Sequence, residues 1–439
     1  MDDPKANKLR LAIVGAGIGG LSLAVAISKL DHSKDIEVHI FEATSELGET
    51  GLGLTVLHRT WELLRSLGCH ELIKKRAFSY SRMGTSEVNN DAALVFRKSD
   101  QQDGFTFLNF SLPGGTWALH RSDLHQALLN GLNDKSHVHL SSRVIDCNEQ
   151  RDTVTLKFQD GTTADFDFVV GADGIKSVIR RDFITASLPN EIDRISPVLS
   201  GTKGYRALIS RETLEKRSPN HRALRTPLSY CGKNKHIISY PIAMGSLVNV
   251  VAFFSHPEEE GNPLVEDPVR EVSLQEVLDR FEGWEEECME LLRCMNEPSC
   301  WAFLTTKPIS SYGLGRIALL GDAAHAMTPH LASGAGQAME DGYILATLIT
   351  IGVQDGVDVS RMIEVYNTIR QPMGNFVLNN SRRQGFRFEL NAAGFEDIQE
   401  NEPVQMNRMV GLAEEIIRGW RWVWTTSVLE DQKRAMALI

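Results

Sequence analysis

The sequence predicts an α/β protein: a parallel sheet of the dinucleotide-binding kind, a mixed-sheet lobe inserted into it, and a helical region at the C-terminal end. Three observations predict this. "LAIVGAGIGGLSLAVAISKL" (11–30) reads as a strand, a glycine turn and a helix. "FDFVVGADGIKSVIRR" (166–181) and "GRIALLGDAAHAMTPHLASGAGQAMEDGYILATLI" (315–349) each run a strand into a Gly/Asp turn and then a helix. Between these two, "GTKGYRALIS" (201–210), "KHIISYPIAM" (235–244) and "SLVNVVAFFS" (246–255) alternate with the period of half-buried strands.

In the first element, Gly15, Gly17 and Gly20 form G-x-G-x-x-G directly after an apolar strand. The first glycine permits the turn, the second lets a pyrophosphate approach the backbone, and the third lets helix and strand pack closely. The helix start offers N–H groups and the positive end of its dipole. A second strand, "IEVHIFEA" (36–43), carries Glu42 near its end, at the spacing of a carboxylate that accepts hydrogen bonds from ribose hydroxyls. Such a carboxylate repels a 2′-phosphate, so the turn suits FAD or NAD rather than NADP.

Bulk properties bound the function classes. The chain has 439 residues, long enough for more than one lobe, and a net charge of -11, which disfavours a nucleic-acid or anionic-membrane partner. Its six cysteines, at 69, 147, 231, 288, 294 and 300, form no CxxC or Cys/His pattern, so no metal site is expected. The polar start "MDDPKANKLR" lacks an apolar signal core, and no segment is apolar for long enough to span a bilayer, so a cytoplasmic protein with reduced thiols is expected. "GWRWVW" (419–424) reads as a segment packed on the main body.

In the third element, Met339, Ile344, Leu345, Leu348 and Ile349 give a buried helix face, and Gln337, Glu340 and Asp341 are expected in its first turn, where the dipole favours acids. His325 reads as a packed, hydrogen-bonded histidine. "FRKSDQQDG" (96–104) reads as a surface loop and "SRRQGFRFEL" (381–390) as a solvated helix face.

Taken with "LHRSDLHQALL" (119–129), "YNTIRQP" (366–372) and the tryptophan-bearing tail, these motifs resemble, in order, those of the single-component flavoprotein aromatic hydroxylases of the para-hydroxybenzoate hydroxylase fold. Within that class the chain is most similar to salicylate hydroxylases and related fungal phenol monooxygenases. The resemblance implies a Rossmann-like (GR2-type) FAD domain over 1–76, 116–183 and 311–372, a substrate domain over 77–115 and 184–310, and a helical region over 373–439. It implies cofactor roles for Glu42 at the adenosine ribose, Gly53 near the flavin, Arg121 at the phosphate or ribityl, and Asp173 between FAD and the nicotinamide. It further implies that Asp322 meets the ribityl hydroxyls and that Gly334, Ala335 and Gly336 meet the flavin pyrimidine edge. One departure stands out: His58-Arg59 occupies the place where such hydroxylases often carry Pro-Asn.

The implied activity uses NADPH or NADH, bound transiently, and O2 to hydroxylate a small aromatic substrate by way of a flavin C4a-hydroperoxide, with or without loss of CO2. Arg206, Tyr240 and His236 on the alternating strands are the candidate substrate contacts: a guanidinium for a carboxylate or phenolate, and a phenol and an imidazole that share one strand face. Two other readings are an FAD-dependent epoxidase of a terpenoid pathway and a non-catalytic FAD-fold binding protein. The substrate and the oligomeric state are not legible in the sequence.

Overall fold

The computed structural model describes residues 8–48, 53–79, 94–133, 136–265 and 267–439. The chain through residue 7, residues 51–52 of the segment before His58, and residues 80–93 of the second lobe lie outside the described residues.

The apolar strand Leu9–Val14 lies inside a six-stranded sheet. It pairs in parallel with Ile36–Phe41 on one side and Phe168–Gly171 on the other. Ser136–His139 and Ile317–Leu319 extend the parallel order, and the hairpin strand Gly313–Leu314 closes one edge antiparallel. Leu9–Val14, Phe168–Gly171 and Ile317–Leu319 are thus neighbours, and their carboxyl ends bring the Gly15, Asp173 and Asp322 turns to one crevice, where open α/β sheets bind ligands. Gly15 has φ +108° and a Cβ there would lie 2.3 Å from the Ala172 carbonyl oxygen, so no other residue fits.

The helix Gly334–Asp355 is buried on nearly every side, packed between Ile18–Leu30 and Val359–Phe388. A helix so enclosed is mostly apolar, yet it carries Glu340 and Asp341, fully buried. These two acids lie in its second turn rather than its first, because the helix begins at Gly334. Their placement answers to partners and not to the dipole. Arg370 Nε donates to Asp341 at 2.7 Å, its Nη1 to Glu340 at 3.0 Å and its Nη2 to Gln337 Oε1 at 2.8 Å. Arg59 Nε donates to the other Glu340 oxygen at 2.8 Å, and its remaining nitrogens reach Thr426 and Asp431 near the C-terminal end. His325 Nε2 pairs with Asp341 at 2.6 Å, which keeps that histidine in a packed role. The departure at Arg59 is therefore an anchor between the helix His58–Ser66 and the C-terminal helices.

An eight-stranded mixed sheet forms the second lobe. Val198–Ser210, Leu247–Ser255, Lys235–Ile242 and Leu228–Gly232 pair antiparallel, and Leu228–Gly232 pairs in parallel with Leu94–Lys98. The expected surface loop at 96–104 is wrong in its first half. Phe96, Arg97, Lys98, Ser99 and Asp100 are buried, 94–98 being a sheet strand. Lys98 is paired with Asp100, and Arg97 with Glu285 at 2.5 Å, so the charges that suggested solvent are neutralised inside. The expected solvated face at 381–390 is likewise wrong: Ser381, Gln384, Gly385, Phe388, Glu389 and Leu390 are buried. The helix Val359–Phe388 runs unbroken through Pro372, so the boundary drawn at 372/373 falls inside an element. Trp420 and Trp422 are buried against the body, as the sequence suggested.

Arg370→Met leaves Asp341 with His325 and Glu340 with Arg59 but removes the guanidinium that joins them, and an unfolding free energy lower by about 3–5 kcal/mol is expected in urea titration. An unchanged midpoint would show that the network carries no such weight.

Candidate active site

One continuous cavity of about 430 Å³ joins the crevice of the parallel sheet to the face of the mixed sheet. At the crevice end it is lined by Gly17, Ile18, Gly19, Arg121, Asp322, Gly334 and Ala335. At the sheet end it is lined by Arg206, Tyr240, His236, Phe253, Phe303 and His330, with Trp420 and Phe388 from the C-terminal region.

The crevice end has the features of an anion and hydroxyl binder. Gly17 faces open space, with no atom within 4 Å of a Cβ placed there. Glu42 accepts the Ala16 N–H at 3.0 Å and both the N–H and hydroxyl of Thr44, at 2.9 and 3.0 Å, so it is fixed beside the glycine turn. Burial pushes its pKa up, but these backbone and hydroxyl donors win and hold it below the usual carboxylate value. His125 bonds the Ala16 carbonyl at 2.9 Å and steadies the same turn. Arg121 opens the helix Arg121–Leu129 on the cavity wall. Asp322 is exposed on the wall just after Gly321. The helix Gly334–Asp355 has no side-chain cap: Ser333 turns its hydroxyl to the Leu331 carbonyl at 2.7 Å, and the first N–H groups are left toward the cavity.

Five residues named from the sequence do not line the cavity: Gly15 and Glu42, which shape and brace the glycine turn, and Asp173, Gly20 and Gly336. Asp173 is turned inward: it accepts the Ser177 hydroxyl at 2.5 Å and the Val178 and Ile179 N–H groups at 2.7 and 3.2 Å, anchoring the start of the helix Val178–Ser187. Its backbone neighbours Ala172 and Gly174 form the wall instead. Gly20 packs on the turn, a Cβ there falling 2.1 Å from the Gly15 carbonyl oxygen, and Gly336 faces Thr60. Gly53 does line the cavity, beneath Tyr240, whose hydroxyl lies 3.1 Å from a Cβ built at that position.

At the sheet end the polar groups are few and buried. Arg206 stacks on Trp301, its Cζ 4.9 Å from the ring centre, and its Nε is buried without a hydrogen-bond partner. Among the described residues no carboxylate pairs with it. Burial lowers its pKa, and Arg121 adds to this, while Tyr240 opposes. Burial pushes the Tyr240 phenol up to about 12, so it is a neutral donor at pH 7. His236 stacks on Phe253 with ring centres 4.4 Å apart, bonds Glu389 through Nδ1 at 3.1 Å, and leaves Nε2 unpartnered. Burial lowers it to about 3, so its imidazole is neutral.

Sequence reasoning missed His330 and Glu389. His330 is buried on the cavity wall, neither ring nitrogen completing a well-formed hydrogen bond, although the Ser381 backbone lies close enough to act on the ring. Its ring is pressed on Gly385, where a Cβ would fall 2.5 Å from it. The sequence held one signal, a second histidine in "AHAMTPH"; the burial that singles out Glu389 shows only in the fold.

The donor set fits FAD: an open glycine turn, a fixed carboxylate beside it, a wall arginine and aspartate, and an uncapped helix start at the junction with the aromatic-lined chamber. Residues 8–194 and 297–381 match the FAD binding domain family. Across 99% of this chain and 96% of the other, the chain is 32% identical to a salicylate hydroxylase of Pseudomonas putida. It is 31% identical to the 6-methylsalicylate 1-monooxygenase atA of Aspergillus terreus over 86% of this chain and 82% of that one. A solved salicylate hydroxylase–substrate complex superposes with a TM-score of 0.83 at 29% identity, covering 98% of both chains.

The buried titratable groups set an acid dependence. His236 and His330, at about 3 in the fold against an ordinary 6.5, bind protons more readily unfolded, so their stabilising contribution falls as pH drops below 6.5. Glu389, raised by burial from 4.5 to about 7, binds its proton more readily folded and opposes that loss between about 7 and 4.5. The melting temperature is expected to fall from pH 6.5 to 4.5, more steeply in Glu389→Gln and less in His330→Gln. A melting temperature that rises on acidification would contradict the assignment.

Proposed function

The chain belongs to the FAD-binding aromatic hydroxylases that include the salicylate hydroxylases, and on that premise we propose that its substrate is a phenol carrying a carboxylate, held between Arg206 and the two chamber histidines. The general activity is FAD-dependent monooxygenation of an aromatic ring with NAD(P)H and O2. FAD, when bound, would supply the two-electron chemistry that activates O2, one atom of which enters the ring.

The protein's own groups bind and orient. Glu42, Gly17, Arg121 and Asp322 would hold the nucleotide and ribityl portions, and the N–H groups at Gly334 and Ala335 would stabilise negative charge on the pyrimidine edge. Asp173 acts at one remove, by fixing the Ala172–Gly174 wall. In the chamber, Phe253, Phe303, Ile238 and Val251 present apolar surface to a ring and exclude water. Arg206 receives the carboxylate, and the neutral Tyr240 hydroxyl donates to the same group or to the phenol oxygen. His236, neutral at pH 7 with its Nε2 unpartnered, accepts the phenol proton, and His330 lines the chamber beside it. The observation that carries this reading is the buried Nε of Arg206, a cation in an aromatic chamber with no acid paired to it among the described residues.

A carboxylate on the attacked carbon leaves as CO2, and one on its neighbour stays. The name of the Aspergillus relative, a 6-methylsalicylate 1-monooxygenase, supports attack at a carboxylate-bearing carbon. Six free, buried cysteines support a reducing compartment, and no helix among the described residues is long and apolar enough to cross a membrane.

Phenolic acids of the salicylate type are expected to stimulate NAD(P)H oxidation with hydroxylated product. In Arg206→Met, KM for a phenolic acid is expected to rise about 10- to 100-fold, the worth of one charge-assisted contact, and to change little for the same phenol without its carboxylate. An equal rise for both would remove Arg206 from the carboxylate.

A further inference from the structure

Glu389 lies between two hollows. On one side is the aromatic chamber, whose wall includes His236 and His330. On the other is an outer hollow of about 240 Å³ lined by Asn234, Lys235, Ser255, His256 and Glu258. The carboxyl itself is fully buried, at the end of the long helix Val359–Phe388. One ring nitrogen from each histidine and one Glu389 oxygen lie within 4.8 Å of one another. Ser255 is close enough to Glu389 to act on it as a hydrogen-bond donor, and its hydroxyl is 3.0 Å from that of Thr202.

A buried acid costs stability unless it is paired and hydrogen-bonded. Arg97, Arg59 and Arg370 each bond a buried acid directly, whereas among the described residues no arginine or lysine bonds Glu389: its direct partner is the neutral His236 imidazole, Arg382 acts from farther off, and its Oε2 completes no hydrogen bond. We propose that His236, Glu389 and Ser255 form a proton passage that carries the phenolic proton of the substrate from the chamber to water in the outer hollow. The proposal rests on the phenol reading above.

The transfer balances without redox change. The phenol O–H bond breaks, its electron pair stays on oxygen, and the proton joins His236 Nε2. The Nδ1 proton crosses the 3.1 Å contact to Glu389 and leaves a neutral imidazole of the other tautomer. The Glu389 proton passes to the Ser255 oxygen while the Ser255 hydroxyl proton passes to water. The net change is phenol to phenolate and one proton released outside. Its position near neutral, where burial has raised Glu389 to about 7, lets it both take and give a proton. The groups that act on it are His330 and Ser255, with Arg382 from its own helix; His236 bonds it, and Cys231 faces it from the neighbouring strand.

The test is stopped-flow release of protons to a pH-indicator dye when the FAD-loaded protein binds a phenolic acid. Glu389→Gln keeps the bond to His236 but takes no proton, and Ser255→Ala breaks the outer step. In both, release is expected to slow about tenfold or more, with Glu389→Asp restoring part of the rate. The acid limb of the kcat–pH profile moves in Glu389→Gln, which a merely packed glutamate would not cause. Wild-type release rates in Ser255→Ala and Glu389→Gln, with the phenol still bound, overturn the passage alone. Failure of every phenol to bind overturns the substrate reading, and the passage falls with it.

Discussion

A guanidinium cannot shed its charge, so Arg370, with no exposure to solvent, dictates what surrounds it. It draws Glu340 and Asp341 onto a helix face that is otherwise apolar, and Asp341 in turn takes the Gly321 N–H at 3.0 Å and His325. Burial pushes Asp341 up, but His325 and Arg370 prevail and hold it at about 2, permanently ionised. Through Gly321 the network fixes the turn that presents Asp322, and through Gln337 it fixes the start of the helix whose N–H groups face the chamber. The geometry where the crevice meets the chamber is thus set from behind, by ion pairs buried away from the cavity.

Charge pairing also separates scaffold from site. Lys98 with Asp100 and Arg97 with Glu285 are buried and matched, and such pairs hold strands together without asking anything of a ligand. Arg206 is half-buried, its Nε sealed from solvent, stacked on an indole and unmatched among the described residues. A cation left in that condition is poised for an anion from outside the chain. The contrast between these arginines depends on neighbours contributed by distant segments, and residue type alone does not reveal it.

This explains what the sequence could and could not disclose. Strand-turn-helix punctuation is local, so Leu9–Val14, the Gly15 turn and the start of the helix at Gly334 were readable within a residue or two, while that helix runs on to Asp355, past the segment read as helical. The alternating strands that carry Arg206, His236 and Tyr240 were readable for the same reason. Long-range pairing was not. The run at 96–100 looked solvated because its partners Glu285 and Lys233 stand far along the chain. Asp173 matched a motif, yet its carboxylate serves the next helix, a use that shows only when Ser177 and Val178 are seen to fold back on it. His330 and Glu389 become neighbours only through the helix that passes Gly385 across the ring.

Trp420 and Phe388 belong to the last stretch of the chain, yet they form part of the chamber wall. Translation delivers a polypeptide from its beginning, so the parallel sheet and its glycine turn emerge while that wall is still missing. The nucleotide half is in place before the ring pocket is sealed. The chamber wall is therefore complete only after Trp420 has emerged, and a chain that stops short of Phe388 lacks both of these side chains.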